Sequence, residues 1–340
     1  MENYFKNKVI FLNVFFTMLI VLAHAKSPER FGMAISWEYP LCYIVGVFCR
    51  VATPSFFFLS ALLFYKECTE ADLGRKLTSR IHTLLIPYII WNTFFVLVYY
   101  ALTHIAYFST KMHMGETALN SIHSVLYAIV HSTHTDLWFV KNLMVYSLCS
   151  PLILYILQRR HLLLSTLLVS LFCVWAYEPV HRDLIRWIPI YLIGAMCGYY
   201  WNDTKVRKIV NSKQSISTTV AVAFILIVLY VITLTINRDM YLFRFLSPLL
   251  IWILVDGCMY NFLREKFTMR RWMKYMFFIY CTHHFVLNVL QKIVVLTCEP
   301  TALVINLTFV VTPILTVILL ICIANYISNT RIYKVMCGSR

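Results

Sequence analysis

Residues 13–24 read NVFFTMLIVLAH, an almost wholly apolar segment with Asn13 at one end and a single imidazole, His24, closing the other. An ionisable group at the end of a membrane-length apolar run costs several kcal/mol unless it meets water or a polar interior. His24 therefore either marks the headgroup boundary, where it hydrogen-bonds water, or faces a polar interior as a candidate site. The choice depends on how many further polar groups the chain places at the same depth.

The composition extends this reading to the whole chain. Of 340 residues, 60% are hydrophobic, 16% aromatic and only 13% charged, a balance unlike that of a soluble domain. The class is all-α, a polytopic membrane protein forming a single integral-membrane domain over 1–340. A span needs roughly 20 apolar residues. Runs at about 8–25, 41–65, 81–107, 136–157, 161–177, 184–201, 217–236, 242–262, 272–296 and 302–327 meet that need, so ten transmembrane helices are expected. The opening run lacks a small-residue cleavage site and reads as a retained signal anchor.

The formal net charge of +15 is distributed between the apolar runs, with no basic patch on a soluble module, which argues against nucleic acid. It reads as topology. The loops on one side carry 20 Lys and Arg against 7 on the other. The positive-inside rule then puts both termini in the cytoplasm. The 11 cysteines show neither CxxC pairs nor ligand spacing and read as free, apolar thiols.

The longest connection, about 108–135, is expected outside. Leu119, Ile122, Leu126 and Ile129 stand at helical spacing within 117–131, which predicts an amphipathic helix lying along the interface. His113, His123, His131 and His134 crowd this segment without an acidic or cysteine partner at ligand spacing, so no metal site is assigned.

Four other features put polar groups at or near membrane depth. Arg50 lies about nine residues inside the second run, four before Pro54. A guanidinium there either forms a structural ion pair or faces a polar cavity or an anionic ligand. Arg75, Lys76 and Arg80 precede the third run on the inner side, as plain topogenic charge or as counter-charge for the phosphates of a cytosolic nucleotide-bearing donor. The fourth run opens DLWFVKN, placing Asp136, Trp138, Lys141 and Asn142 near the outer face. That is an interfacial belt or a grip for a sugar ring. FFIYCTHHFVLN places Tyr280, His283 and His284 near the middle of the ninth run; a 100° step separates the two histidines, so one is expected to face a cavity and the other to pack against a neighbour. There is no glycine-rich phosphate loop, GxSxG elbow or HExxH.

These segments, in this order, resemble the bacterial integral-membrane acyltransferases of the acyltransferase type 3 family. The resemblance runs from LIVLAH through CRVATPSFFFLSALLFYKE, SRIHTLLIPYIIWN, LWFVKNLMVY and IPIYLIGAMCGYY to FFIYCTHHFVL, and covers nearly the whole chain. It implies ten spans and an O-acetyltransferase-like activity, moving an acyl group from acyl-CoA to a saccharide or glycolipid acceptor at the cell surface. It also implies acetyl-CoA as co-substrate, no permanently bound cofactor, and His24 as the catalytic base. Two positions depart from the family pattern. Asn13 replaces a basic residue eleven positions before the histidine, and Ala61 replaces the glycine after FFFLS. Asn13 can still donate a hydrogen bond but brings no charge, which shifts the donor contact toward Arg75 and Arg80. Arg50, Trp138, Lys141, Tyr280 and His283 would line the cavity, with Arg50 and His283 as candidates to hold the developing oxyanion. Counting from residue 8 at 1.5 Å per residue, His24 lies roughly 24 Å along the first helix, close to an outer acceptor. The donor would reach it by a pantetheine arm threading between helices, or the acyl group would move through a covalent intermediate. Two readings of other classes remain: an exporter of polysaccharide or lipid-linked saccharide, and an inactive relative serving as a scaffold.

Overall fold

The structure is a computed structural model and describes residues 2–103, 121–133, 135–177, 182–236 and 241–338. Every regular element among the described residues is helical. In order they are α1 (Glu2–Ala23), α2 (Ser27–Arg30), α3 (Pro40–Cys49), α4 (Ala52–Tyr65), α5 (Leu73–Arg80), α6 (Ile86–Thr103), α7 (Ile122–His131), α8 (Trp138–Leu148) and α9 (Ser150–Leu157). They continue with α10 (Arg160–Tyr177), α11 (Leu184–Tyr199), α12 (Thr204–Val210), α13 (Ile216–Ile236), α14 (Tyr241–Cys258), α15 (Met276–Thr297), α16 (Ala302–Ile327) and α17 (Arg331–Met336).

Eight helical stretches among the described residues are long and apolar enough to cross a membrane, and nine if the broken pair α8 and α9 forms one span. The run at 184–201 forms α11, whose 16 residues fall short of that length. Ten apolar runs are thus ten helical regions of unequal length. Two of them are interrupted. Cys149 separates α8 from α9 just before Pro151, and Arg50 and Val51 separate α3 from α4. The second break has a local cause, because Pro54 has no N–H to return to the Arg50 carbonyl four residues earlier. Val51 instead accepts two bonds, from the Ser55 amide (3.2 Å) and the Ser55 hydroxyl (2.7 Å).

The chain divides into two compact units, Met1–Ala71 with Pro151–Cys322, and Asp72–Ser150 with Ile323–Arg340. In the first, α4 is the axis. It packs most extensively on α11, and α1 and α14 also lie against it. The close approach of α11 depends on Gly194 and Gly198, four residues apart on one face. A Cβ on Gly194 would lie 2.3 Å from the Phe58 carbonyl oxygen, and one on Gly198 2.4 Å from that of Leu62. Small residues at this spacing let backbones touch where lipid supplies no hydrophobic drive between helices. Phe57 stacks on Trp187 across the same contact, their centroids 5.2 Å apart.

The first helix also carries a buried charge. Lys8 lies six residues into α1, and its side chain is 0% exposed. Its ammonium lies 2.7 Å from Asp256 Oδ1 of α14 and 3.7 Å from the centroid of the Trp252 ring. The Tyr4 hydroxyl donates to the same carboxylate, and Trp252 Nε1 donates to the Val210 carbonyl at 2.6 Å. One lysine thereby ties α1, α12 and α14 together.

In the second unit, α7 packs on α6 through Val96, Ala128, Val125 and Ile129. A Ser121–Ser124 capping box starts it, and Ser132 ends it in the left-handed conformation at φ +53°. The Ser132 hydroxyl donates to Tyr88 Oη, which donates to the Val130 carbonyl at 2.7 Å. The helix expected over 117–131 is therefore present over Ile122–His131. Its inward face holds Val125 and Ile129, while Ile122 and Leu126 point outward. Leu119, His113 and His134 lie outside the described residues.

Candidate active site

His24 follows the last turn of α1, its amide donating to the Ile20 carbonyl at 3.2 Å. Its ring bends back over that turn. Nδ1 lies 2.8 Å from the Ile20 carbonyl oxygen and 3.3 Å from Nε2 of His283, on α15. A backbone carbonyl only accepts, so Nδ1 carries the proton and the lone pair of the neutral ring sits on Nε2.

The same reasoning fixes His283. Its Nδ1 lies 2.8 Å from the Tyr280 carbonyl and 3.2 Å from that of Ile279, both acceptors one turn back on α15. Nδ1 therefore holds the proton of the neutral ring, and Nε2 presents its lone pair to His24. With both nitrogens engaged, neutral His283 has no further N–H for an oxyanion. His283 is fully buried. Its burial and its two acceptors hold the ring in one orientation.

Of the pair His283 and His284, one was expected to turn away. Both approach His24, with ring centroids at 5.0 Å and 5.5 Å. The 100° step between them sets the two rings to either side of the line along which α15 meets α1. Tyr280 completes the cluster one turn below, its ring 6.1 Å from His283.

The remaining candidates are placed as follows. Asn13 is half-buried, and its carbonyl accepts from the Thr17 hydroxyl at 2.7 Å. Arg50 is exposed at the junction of α3 and α4. Asn13, His24, Arg50, Tyr280 and His283 all belong to the first unit, and of these the structure brings His24, Tyr280 and His283 together. Arg75, Arg80, Trp138 and Lys141 belong to the second unit. Arg75 is exposed and paired with Asp72 at 2.7 Å, Arg80 and Lys141 are half-buried, and Trp138 is buried. Trp138 and Lys141 lie three residues apart on α8, and Arg75 and Arg80 five residues apart on α5.

An imidazole whose protonated nitrogen is held by a second imidazole can take a proton from a hydroxyl. Residues 9–327 match the model of the acyltransferase domain family. The chain belongs to the acyltransferase 3 family. No curated protein and no solved structure gives a significant match. The family match covers nearly the whole chain, and the apolar helices make the protein a multi-pass membrane acyltransferase.

The residues quoted from the first span and from YCTHHF carry the imidazole cluster; sequence reading named His24 and His283 as candidates without placing the two rings together. It missed the Lys8–Asp256 pair, for which the signal was a lone carboxylate inside LLIWILVDGC. It also missed Gly194 and Gly198, whose four-residue spacing was visible.

Proposed function

We propose that the protein is a plasma-membrane O-acyltransferase that moves an acetyl group from acetyl-CoA to a hydroxyl of a saccharide or glycolipid at the outer face. The observation that supports the reading is the placement of His24 Nδ1 at 2.8 Å from the Ile20 carbonyl oxygen and 3.3 Å from His283 Nε2, which leaves the lone pair of His24 on Nε2. In the reaction, His24 Nε2 takes the hydroxyl proton as the acceptor oxygen bonds to the thioester carbonyl carbon. Collapse of the tetrahedral intermediate breaks the carbon–sulfur bond, and the thiolate recovers the proton from the imidazolium. The products are the O-ester and free CoA, with no net proton change. His283 acts here as a positioning residue, since it holds the tautomer of His24. Arg50 remains the candidate to stabilise the oxyanion, being a permanent cation in the same unit. Arg75 and Arg80 would meet the phosphates of the donor, as exposed or half-buried cations on one short helix. Asn13 would contribute a neutral hydrogen bond to the donor, and Trp138 and Lys141 would contact the acceptor.

The exporter reading has no observation in its favour. The test is purified protein in membranes with acetyl-labelled acetyl-CoA and a surface saccharide extract. Labelled ester or thioester hydrolysis above protein-free membranes is expected, and the absence of both would contradict the reading.

A further inference from the structure

Seven residues past His284, α15 carries a second polar group of a different kind. Gln291 is fully buried, and its Nε2 faces Thr312 Oγ1 of α16 at 3.4 Å. The Thr312 hydroxyl spends its proton on the Thr308 carbonyl at 2.7 Å, so it can only accept from Gln291. That orientation turns Gln291 Oε1 toward Arg30, whose Nε donates to it at 3.1 Å. Arg30 Nη2 donates to Asn288 Oδ1. Two amide oxygens on α15 thus aim the guanidinium of Arg30 without neutralising it.

The segment that carries Arg30 is itself fixed. The Ser27 hydroxyl donates to the Ile305 carbonyl at 2.8 Å, and Phe31 and Met33 pack on the cluster of Ala25, Leu287, Ile305 and Phe309. The neighbouring carboxylate, Glu29, is paired with Lys26 at 3.3 Å. Among the described residues no carboxylate pairs with Arg30, whose remaining N–H groups point from an exposed side chain.

His284, Asn288 and Gln291 stand at i, i+4 and i+7, on one face of α15. At 1.5 Å per residue the two amides lie about 6 and 10 Å along the helix from His284, whose ring is beside that of His24. We propose that Arg30, held by Asn288 and Gln291, is an oxyanion subsite for the acceptor, taking a carboxylate or phosphate on a saccharide about one sugar ring away from the acylated hydroxyl. Both amides stand on the His284 face of the helix and, among the described residues, the charge is presented without a carboxylate partner, as a guanidinium that grips an oxyanion requires. The proposal rests on the acyltransferase reading for the identity of the acceptor, while the subsite itself is tested without turnover.

The experiment measures modification of Arg30 by phenylglyoxal, read by peptide mass spectrometry on the full chain in phosphatidylcholine nanodiscs. Glucuronate, glucose 6-phosphate or glucose is added at matched ionic strength. An acidic sugar at saturation should slow modification about tenfold, a charge-assisted contact being needed for that protection. Protection by glucuronate alone identifies a carboxylate, by glucose 6-phosphate alone a phosphate, and by both a general oxyanion site. Gln291→Leu and, as a less buried second variant, Asn288→Ala should each abolish the protection. Equal modification with all three sugars, protection by glucose as strong as by the acids, or protection unchanged in both variants would overturn the proposal. Absence of acetyl transfer together with intact protection would overturn the acyltransferase reading and leave the subsite standing.

Discussion

His283 Nε2 accepts from His24 Nδ1 at 3.3 Å, while His283 Nδ1 is held by the Tyr280 carbonyl at 2.8 Å. Two backbone carbonyls, one on each helix, thereby set the protonation of both rings.

Replacing the orienting ring should therefore impair turnover more than binding. His283→Ala is expected to lower kcat roughly ten- to a hundredfold, the range typical for loss of a group that orients a functional histidine. Donor KM should change little. Steady-state kinetics with varied acetyl-CoA checks this, and His283→Asn, whose amide oxygen can still accept from His24, should recover part of the loss. Equal activity of the Ala and Asn variants would assign His283 a packing role only.

The inner basic helix makes a separable prediction. Neutralising Arg75 and Arg80 together should raise the KM for acetyl-CoA by about tenfold or more while kcat falls less, because charge-assisted contacts to phosphates act on donor binding. The opposite pattern, a fall in kcat at constant KM, would remove these residues from the donor site.

Lys8 and Asp256 are a stability pair. Both side chains are 0% exposed, so removing one partner strands a charge in the protein interior. Lys8→Met or Asp256→Asn alone should destabilise the protein by about 3–5 kcal/mol, whereas Lys8→Met combined with Asp256→Leu should restore much of that loss. Thermal unfolding in detergent measures all three. Additive losses in the double variant would mean that the two side chains are not coupled in the folded protein.

Much of this architecture was legible in the sequence because hydrocarbon leaves a chain few options. Every apolar run that reaches membrane length must satisfy its own backbone, so the runs become helices wherever they occur. His24 stood out for the same reason, as an imidazole where imidazoles are costly. What failed to show was everything set by contacts between distant helices. Lys8 is indistinguishable from topogenic charge until Asp256, 248 residues away, is placed against it. Arg30 reads as a loop cation until Gln291 and Asn288 are found holding it. The turn of both His283 and His284 toward His24 depends on where α15 meets α1, which helical periodicity alone cannot supply. The interruptions at Arg50 and Cys149 lay next to prolines that were visible, yet hydropathy passes through both breaks without a change.

The central claim is that His24 moves a proton. His24→Gln keeps a similar volume and the capacity to hydrogen-bond His283, but its amide cannot take up a proton at neutral pH. Its rate of acetyl transfer from labelled acetyl-CoA, measured in membranes at matched protein level and with donor binding verified, is the most direct test. General-base catalysis supplies about a hundred- to ten-thousandfold in rate, so a loss of that size is predicted, with His24→Ala equally inactive. Near-native turnover in His24→Gln would contradict the account and leave His24 a structural residue.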